Sequence, residues 1–313
     1  MVIMKDKNVV VTGGAGFIGS NLTRSLAVDN NVTVIDDLST GNLENIKGLV
    51  DNQSILFVEG SITDLDLLDK TFKNVDYVFH EAAIPSVPRS IKDPVKSNYA
   101  NVNGTLNVLV AARDRGVEKV VYASSSSVYG DTLVLPKKED MTPSPLSPYA
   151  VSKLVGEYYC RVFMDTYGLS TVSLRYFNVY GPWQDPSSEY AAVIPNFISR
   201  VLNCKSPIIF GDGKQTRDFT FVKDVVNANI SAMDCKACGV FNIASGERIS
   251  IDELAQLVMK ISGNDVDVVY DDSRPGDIMH SLADISRAKD KFGYYPRFDL
   301  TKGLEETLKW FQK

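Results

Sequence analysis

The stretch NVVVTGGAGFIGSNL, residues 8–22, decides the fold. It opens on β-branched residues without polar alternation, the pattern of a strand covered on both faces. Gly13, Gly16 and Gly19 follow, then a segment of helical spacing. Strand, glycine turn and helix in that order bring backbone N–H groups at a helix start up to a pyrophosphate. The last glycine lets the helix lie close on the strand. A glycine pattern alone is a weak signal, because ordinary tight turns also produce it. Here the next strand, NVTVID (31–36), ends in Asp36, 23 residues after Gly13, where a ribose-binding carboxylate belongs. Such a carboxylate accepts hydrogen bonds from the adenosine ribose and repels a 2′-phosphate. DDLSTGN (36–42) carries no basic residue, so NAD is expected and NADP is not.

Outward from that turn, short apolar runs alternate with helix-like segments. The expected strands are NVVVTG (8–13), NVTVID (31–36), ILFVEG (55–60), VDYVFH (75–80), EKVVYA (118–123) and TVSLRY (171–176). NYANVNGTLNVLVAARDRG (98–116) places Leu106, Val110 and Ala111 at helical spacing between two of them. Repeated βα units predict an α/β fold, a doubly wound parallel sheet of the Rossmann type. After about residue 177 the pattern changes to a loop-rich stretch. SIDELAQLVMKISG (250–263) then reads as a helix with Ser250 as N-cap and Gly263 as its stop. DVDVVY (265–270) reads as a strand, and LTKGLEETLKWFQK (300–313) as an amphipathic helix. RDFTFVKDVVNANISAM (217–233) and VFNIAS (240–245) read as a return to the sheet. The expected division is a dinucleotide domain of 1–177 plus about 218–245, and a smaller α/β lobe of about 178–217 plus 246–313.

Length and composition agree with this plan. The 313 residues suffice for two lobes, and a net charge of −6 argues against nucleic acid or an anionic membrane as partner. No targeting segment is visible, and no apolar run approaches the about 20 residues of a spanning helix, so a cytoplasmic protein is expected. Of the four cysteines, Cys235 and Cys238 form CKAC. No second pair exists, and His80 and His280 lack zinc-type spacing to it. These cysteines are read as reduced, small apolar residues, and no metal is expected.

The chemistry is expected at two further places. SPYAVSK (147–153) sets Tyr149 and Lys153 at i, i+4 behind a Ser-Pro helix start, so both side chains share a face. A free tyrosine, with a pKa of about 10, is a poor base at neutral pH. A neighbouring ammonium and a cationic nicotinamide favour its phenolate, which then removes a hydroxyl proton as hydride leaves the same carbon. Upstream, ASSSSVYG (123–130) ends a buried strand in hydroxyls. The carboxyl end of a central parallel strand opens into the ligand crevice, so Ser125 is placed to share a sugar proton with Tyr149.

These motifs, with HEAA, NVNGTLNVL, LRYFNVYGP, RDFTFVKDV and RPGD, occur in an order that resembles the extended short-chain dehydrogenase/reductases, specifically the UDP-hexose 4-epimerases. The resemblance covers nearly the whole chain. It implies catalytic roles for Ser125, Tyr149 and Lys153, with Asn103 near the catalytic face. It extends the NAD set from Gly13, Gly16, Gly19 and Asp36 to Phe17, Ile18, Asp37, Ser39, Ile62, Ala82 and Asp64, the last near adenine. For a UDP-sugar it implies Asn178, Arg217 and Arg274 at the diphosphate or uridine, and Asp277 at a ribose. Ala192 and Val193 fall near uracil; Ser86, Arg89 and Ser126 near the sugar. Related dehydratases and decarboxylases carry an acid just before V-Y-G, where this chain has Ser126 and Ser127. Hydroxyls do not replace a carboxylate as a base at neutral pH, so redox at C4, an isomerase reaction, is favoured over elimination. Small Ser281 resembles the residue beside the sugar C2 group, which extends the expectation from UDP-glucose and UDP-galactose to their N-acetylated forms. Arg89 leaves a uronic-acid substrate open. An NAD-binding regulatory protein without catalysis is the non-enzymatic reading, opposed by the retained Ser125, Tyr149 and Lys153. The resemblance also implies a homodimer paired through helices near 98–115 and 149–167.

Overall fold

The structure, a computed structural model, describes residues 4–186, 192–273 and 278–312. Seven strands form the main sheet: β1 (Asn8–Thr12), β2 (Asn31–Asp36), β3 (Ile55–Glu59), β4 (Tyr77–His80), β5 (Lys119–Ser125), β6 (Ser170–Tyr176) and β7 (Gly239–Ile243). Their order is β7-β6-β5-β4-β1-β2-β3, and every neighbouring pair is parallel. The direction of winding reverses between β1 and β4, and in such sheets that point opens a crevice at the carboxyl ends of the strands. The longer helices are α1 (Phe17–Leu26), α2 (Gly104–Asp114), α3 (Pro148–Tyr167), α4 (Val193–Leu202), α5 (Val222–Asp234), α6 (Ile251–Ser262) and α7 (Leu300–Phe311).

Two apolar clusters cover the two faces of the sheet. One joins Val9, Val11 and Val34 to Leu22 and Leu26 of α1 and to Val225, Ala228 and Met233 of α5. The other joins Val10, Val78 and Val120 to Val108 and Leu109 of α2 and to Cys160 and Phe163 of α3. The strands therefore lack polar alternation because both pleat faces are buried. A third cluster lies among α4, α6 and α7, around Phe197, Leu254 and Leu304. Three short strand pairs complete that region: Val179–Tyr180 with Thr220–Phe221, Thr216–Arg217 with Ile249–Ser250, and Ile208–Phe210 with Val269–Asp271.

The helix signals hold at atomic detail. Ser147 accepts a hydrogen bond from the Ala150 N–H at 3.1 Å, with Pro148 in the first turn of α3. Ser250 and Glu253 form a reciprocal capping box on α6, and Gly263 ends that helix at φ 72°. One expectation changes. Of DVDVVY, only Val269 and Tyr270 join a strand, while Val266 and Val268 pack against the third core. Alternation there reports burial against a helix layer rather than ladder pairing.

Candidate active site

The glycine turn closes on itself with no room for side chains. Gly13 has φ +70°, and a Cβ there would lie 2.6 Å from the Ala82 nitrogen. A Cβ on Gly19 would lie 2.1 Å from the Gly13 carbonyl oxygen. The turn is thus bare backbone, and helix geometry leaves the N–H groups of Phe17, Ile18 and Gly19 without intrahelical acceptors. Gly16 is the N-cap of α1. Asp36, at the end of β2, is buried. Its two oxygens accept the Ala15 and Leu38 N–H groups, each at 2.9 Å. Burial raises its carboxyl above the ordinary value, and these two bonds hold it back. A carboxylate offers about four lone-pair sites, so acceptors remain for a diol. Exposed Asp37 accepts from the Ser39 N–H at 3.0 Å. A bare-backbone cradle followed by an acidic, lysine-free turn fits a dinucleotide with an unphosphorylated adenosine ribose. Asp64 caps the helix Leu65–Thr71, accepting from the Leu67 N–H at 3.0 Å. Ile62 is buried, and its Cδ1 occupies the space in front of Gly104.

Helix α3, which carries Tyr149 and Lys153, is docked beside this crevice by a buried polar chain. Thr105 Oγ1 donates to the Asn101 carbonyl at 2.6 Å, so it accepts from His80 Nε2 at 2.9 Å. His80 Nδ1 therefore accepts from Thr12 Oγ1 at 2.7 Å. Burial lowers His80 to about 3, so the ring is neutral. Asn101 accepts from the Ile84 N–H at 2.7 Å and donates to Ser152 Oγ at 3.0 Å. Ser152 in turn donates to the Tyr149 carbonyl at 2.8 Å. Asn103 is exposed, while buried Asn101, which the sequence did not single out, makes these contacts. A π-turn over Tyr99–Asn103 shifts the helix phase, which no straight helical projection anticipates.

Ser125, at the end of β5, lies close enough to the Tyr149 phenol to favour its ionisation, and its Oγ accepts from the Ser127 N–H at 3.2 Å. Lys153 is buried; its Nζ donates to the Ala123 carbonyl at 2.8 Å and lies 5.9 Å from the Tyr149 ring centroid. Burial lowers this lysine to about 8, with Glu81 opposing the shift. The phenol itself is raised, first by burial and also by Glu81, with nearby Ser125 offsetting part. The expected depression of Tyr149 by the ammonium is thus not produced by the chain's own groups: desolvation outweighs a cation already committed to a carbonyl. Glu81, which sequence reasoning passed over in HEAA, accepts from the Tyr176 hydroxyl at 2.9 Å. Burial raises it to about 7.

Ser126 opens a single 3₁₀ turn, Ser126–Tyr129, at the mouth of β5. The Ser127 hydroxyl is buried there without a hydrogen-bond partner in the protein. Neighbouring loops are tied to the same helix. Ser86 caps Val87–Lys92 by accepting from the Arg89 N–H at 3.2 Å, and Ser90 Oγ accepts from the Tyr149 N–H at 3.1 Å.

A cavity of about 260 Å³ opens from the second region, lined by Asn178, Ala192, Val193, Phe210, Arg217 and Phe219. Four of those residues were expected to act together, and the fold gathers them from three separated segments. Phe210 and Phe219 were not anticipated; they add apolar walls suited to a flat base. Asp218 fixes this rim. Its buried carboxylate accepts from Ser245 N, Ser245 Oγ, Gly246 N and Ala283 N, while its carbonyl accepts from Asn178 Nδ2. Arg217 Nη1 donates to the Thr216 carbonyl at 3.0 Å and the Met279 carbonyl at 3.3 Å. Buried Ser281 donates its N–H to the same Thr216 carbonyl at 3.0 Å. Arg274 and Asp277 lie outside the described residues.

A model of the NAD dependent epimerase/dehydratase family matches residues 9–244. The chain is 40% identical over 308 residues to a UDP-glucose 4-epimerase of Mycolicibacterium smegmatis, covering 97% of this chain and 98% of the relative. Among solved structures, it is 46% identical to a UDP-N-acetylglucosamine 4-epimerase from Methanobrevibacter ruminantium, in complex with UDP-N-acetylmuramic acid. That match has a TM-score of 0.96 and covers 99% of each chain. A Thermotoga maritima UDP-glucose 4-epimerase with UDP-glucose is 39% identical, with a TM-score of 0.93 over 97% of this chain and 98% of that one.

Proposed function

Since the chain belongs to the NAD dependent epimerase/dehydratase family, we propose that it interconverts UDP-hexoses at C4 through a transient 4-keto sugar, with NAD retained throughout. The observation that carries this reading is Tyr149 with the Lys153 ammonium 5.9 Å from its ring, next to the Ser125 strand end and a bare-backbone dinucleotide cradle, in a site whose strand end bears hydroxyls and no acid. Residues 1–177 and about 218–245 hold the cofactor; about 178–217 and 246–313 hold the nucleotide sugar.

In the cradle, Gly13, Gly16 and Gly19 with Phe17 and Ile18 present backbone to the pyrophosphate, and Asp36 takes the adenosine ribose. Asp37, Ser39, Ile62, Asp64 and Ala82 border the adenine and nicotinamide halves. When bound, NAD supplies the acceptor and later the donor of the C4 hydrogen, and a cationic ring that favours the phenolate. Tyr149 takes the C4 hydroxyl proton at its phenol oxygen and returns it at the end. Ser125 orients that hydroxyl, and Lys153, fixed on the Ala123 carbonyl, contributes a buried positive charge beside the pair. Asn178, Ala192, Val193 and Arg217 anchor UDP in the 260 Å³ cavity while the keto sugar turns over. Arg274 and Asp277 complete that anchor by resemblance. Ser86, Arg89, Ser126 and Ser281 border the sugar.

The test incubates the protein with UDP-glucose, UDP-galactose, UDP-GlcNAc and UDP-GalNAc and identifies products by NMR. Epimers of unchanged mass are expected; a product lighter by water or carbon dioxide identifies a dehydratase or decarboxylase instead. Ser281 is small and buried, and by resemblance it stands beside C2, which supports acceptance of N-acetylated sugars. Ser281→Tyr is expected to depress the UDP-GlcNAc reaction selectively, with UDP-glucose turnover changing by less. Equal loss of both activities rejects the size argument.

A homodimer belongs to this reading. Ile91 and Val95 are exposed on the successive short helices Val87–Lys92 and Pro94–Asn98, Tyr99 on the turn that follows, and Val151, Tyr158 and Val162 on α3. Together they give each subunit an apolar face of the kind two copies bury against each other. Val95→Glu with Tyr158→Glu is expected to yield monomers by light scattering at micromolar concentration. A dimer that persists in this double variant places the interface elsewhere. No helix among the described residues is long and apolar enough to cross a membrane. Nucleotide sugars and NAD are intracellular metabolites, which supports a cytoplasmic location.

A further inference from the structure

The CKAC segment sits at the opposite end of the sheet from Ser125, where α5 ends and β7 begins. Cys235 terminates α5 in extended backbone, φ −101° and ψ 164°. Its sulfur accepts the Ala237 N–H and donates to the Ala232 carbonyl, each at 3.3 Å. The Cys238 sulfur lies 3.4 Å from Ser170 Oγ. Ser170 and Lys119 are direct partners at the amino ends of β6 and β5, so their side chains leave the same face of the sheet on adjacent strands. Adjacent strands are about 4.8 Å apart. Lys119 is buried, and its Nζ donates to the Ala232 carbonyl at 2.9 Å and to the Cys235 carbonyl. The Cys235 sulfur and the Lys119 ammonium therefore share one carbonyl oxygen, and the Cys238 sulfur stands over the neighbouring strand. Both sulfurs interact electrostatically with Lys119. No third metal-ligating side chain joins them among the described residues.

We propose that Cys235 and Cys238 are a redox-active dithiol that closes to an intramolecular disulfide beside the fixed Lys119 ammonium. The thiolate is the form that reacts. The partner is a disulfide, small-molecule or protein. One cysteine thiolate attacks a sulfur of that disulfide and expels its first thiolate, leaving a mixed disulfide. The second cysteine, deprotonated, attacks the cysteine sulfur of that bond and expels the second thiolate. The protein loses two protons and two electrons, and the oxidant becomes two thiols. Cys160, buried in the sheet core, and exposed Cys204 act as internal references. The proposal depends on neither the cofactor nor the substrate reading.

The experiment treats the folded protein with oxidised glutathione, quenches with acid, and blocks free thiols with N-ethylmaleimide. Cleavage at acidic residues keeps both cysteines on one peptide for mass analysis. The expected peptide has lost two hydrogen masses and carries neither label nor glutathione, while Cys204 carries one or the other. In Cys235→Ser or Cys238→Ser, the remaining cysteine should retain glutathione as a stable mixed disulfide. Wild-type protein in which both cysteines stay alkylatable, or each holds its own glutathione, overturns the proposal. For the cation, Lys119→Met should slow iodoacetamide labelling of this peptide several-fold at neutral pH. As a check that needs no variant, labelling of the wild type should outpace that of the unfolded chain at neutral pH once denaturant-exposed Cys204 is used to normalise. A folded chain that labels no faster overturns the role of Lys119.

Discussion

Replacing Tyr149 with phenylalanine is expected to lower kcat by about 10²–10⁴-fold, the usual worth of a positioned general acid–base group. The ring keeps its packing, and the main-chain bonds from Ser90 and Ser152 do not involve the hydroxyl. UDP-sugar affinity and NAD content should therefore stay near wild type. The measurement is initial rate by NMR or coupled assay, with binding by calorimetry and NAD read in an acid extract. A variant that keeps kcat within about tenfold of wild type rules out the phenol as proton acceptor. The pKa pattern sharpens the expectation. Burial holds the phenol above its ordinary value and Lys153 down at about 8, so the chain's own groups do not generate the phenolate. On the proposed mechanism the phenolate then depends on the positive charge of bound NAD. That dependence also guards the site, because a base formed only beside the hydride acceptor removes no proton without a place for the hydrogen.

The largest expected effect on stability lies behind the site, at Glu157. This residue follows Lys153 by one helical turn on α3. Arg175 of β6 grips it with two hydrogen bonds, Nε to Oε1 at 2.8 Å and Nη2 to Oε2 at 2.7 Å, and both side chains are 3% exposed. Ser124 donates to the same carboxylate, and the guanidinium stacks 4.6 Å over the Tyr129 ring. Glu157→Ala leaves a buried cation without its counter-charge, at a cost of about 3–5 kcal/mol. The urea midpoint should fall accordingly. Glu157→Met combined with Arg175→Met should recover most of the loss, because replacing both charges with apolar groups removes the unpaired ion. A single variant that loses under about 1 kcal/mol shows that water or a neighbour satisfies Arg175, and the pair then does not anchor α3.

Much of this protein was legible in its sequence, and for local reasons. The glycines at 13, 16 and 19, Asp36 at a strand end, and Ser147-Pro148 before Tyr149 and Lys153 all act through neighbours a few residues away. Strand runs without alternation announced burial on both faces, and the βα repeat then set the parallel order. The failures share a cause. Asn101, which ties Ile84 to Ser152, was not anticipated, because a π-turn changes helical phase without any sequence mark. The DVDVVY run alternated for a helix layer rather than a ladder.

What the sequence by itself determined is the order of the elements, the cofactor cradle and the helix start that sets Tyr149 and Lys153 on one face, because dihedral preference and periodicity operate over one or two turns. What only the tertiary structure decided is where distant groups meet: Asn178, Val193 and Arg217 around one cavity, Glu81 beside Lys153, and two cysteines over Lys119 and Ser170. Those encounters depend on strand order and helix phase, and so do the desolvation that lifts the Tyr149 phenol and the pairing that satisfies Glu157. Solvent exclusion is a property of the packed whole, and no window of residues contains it.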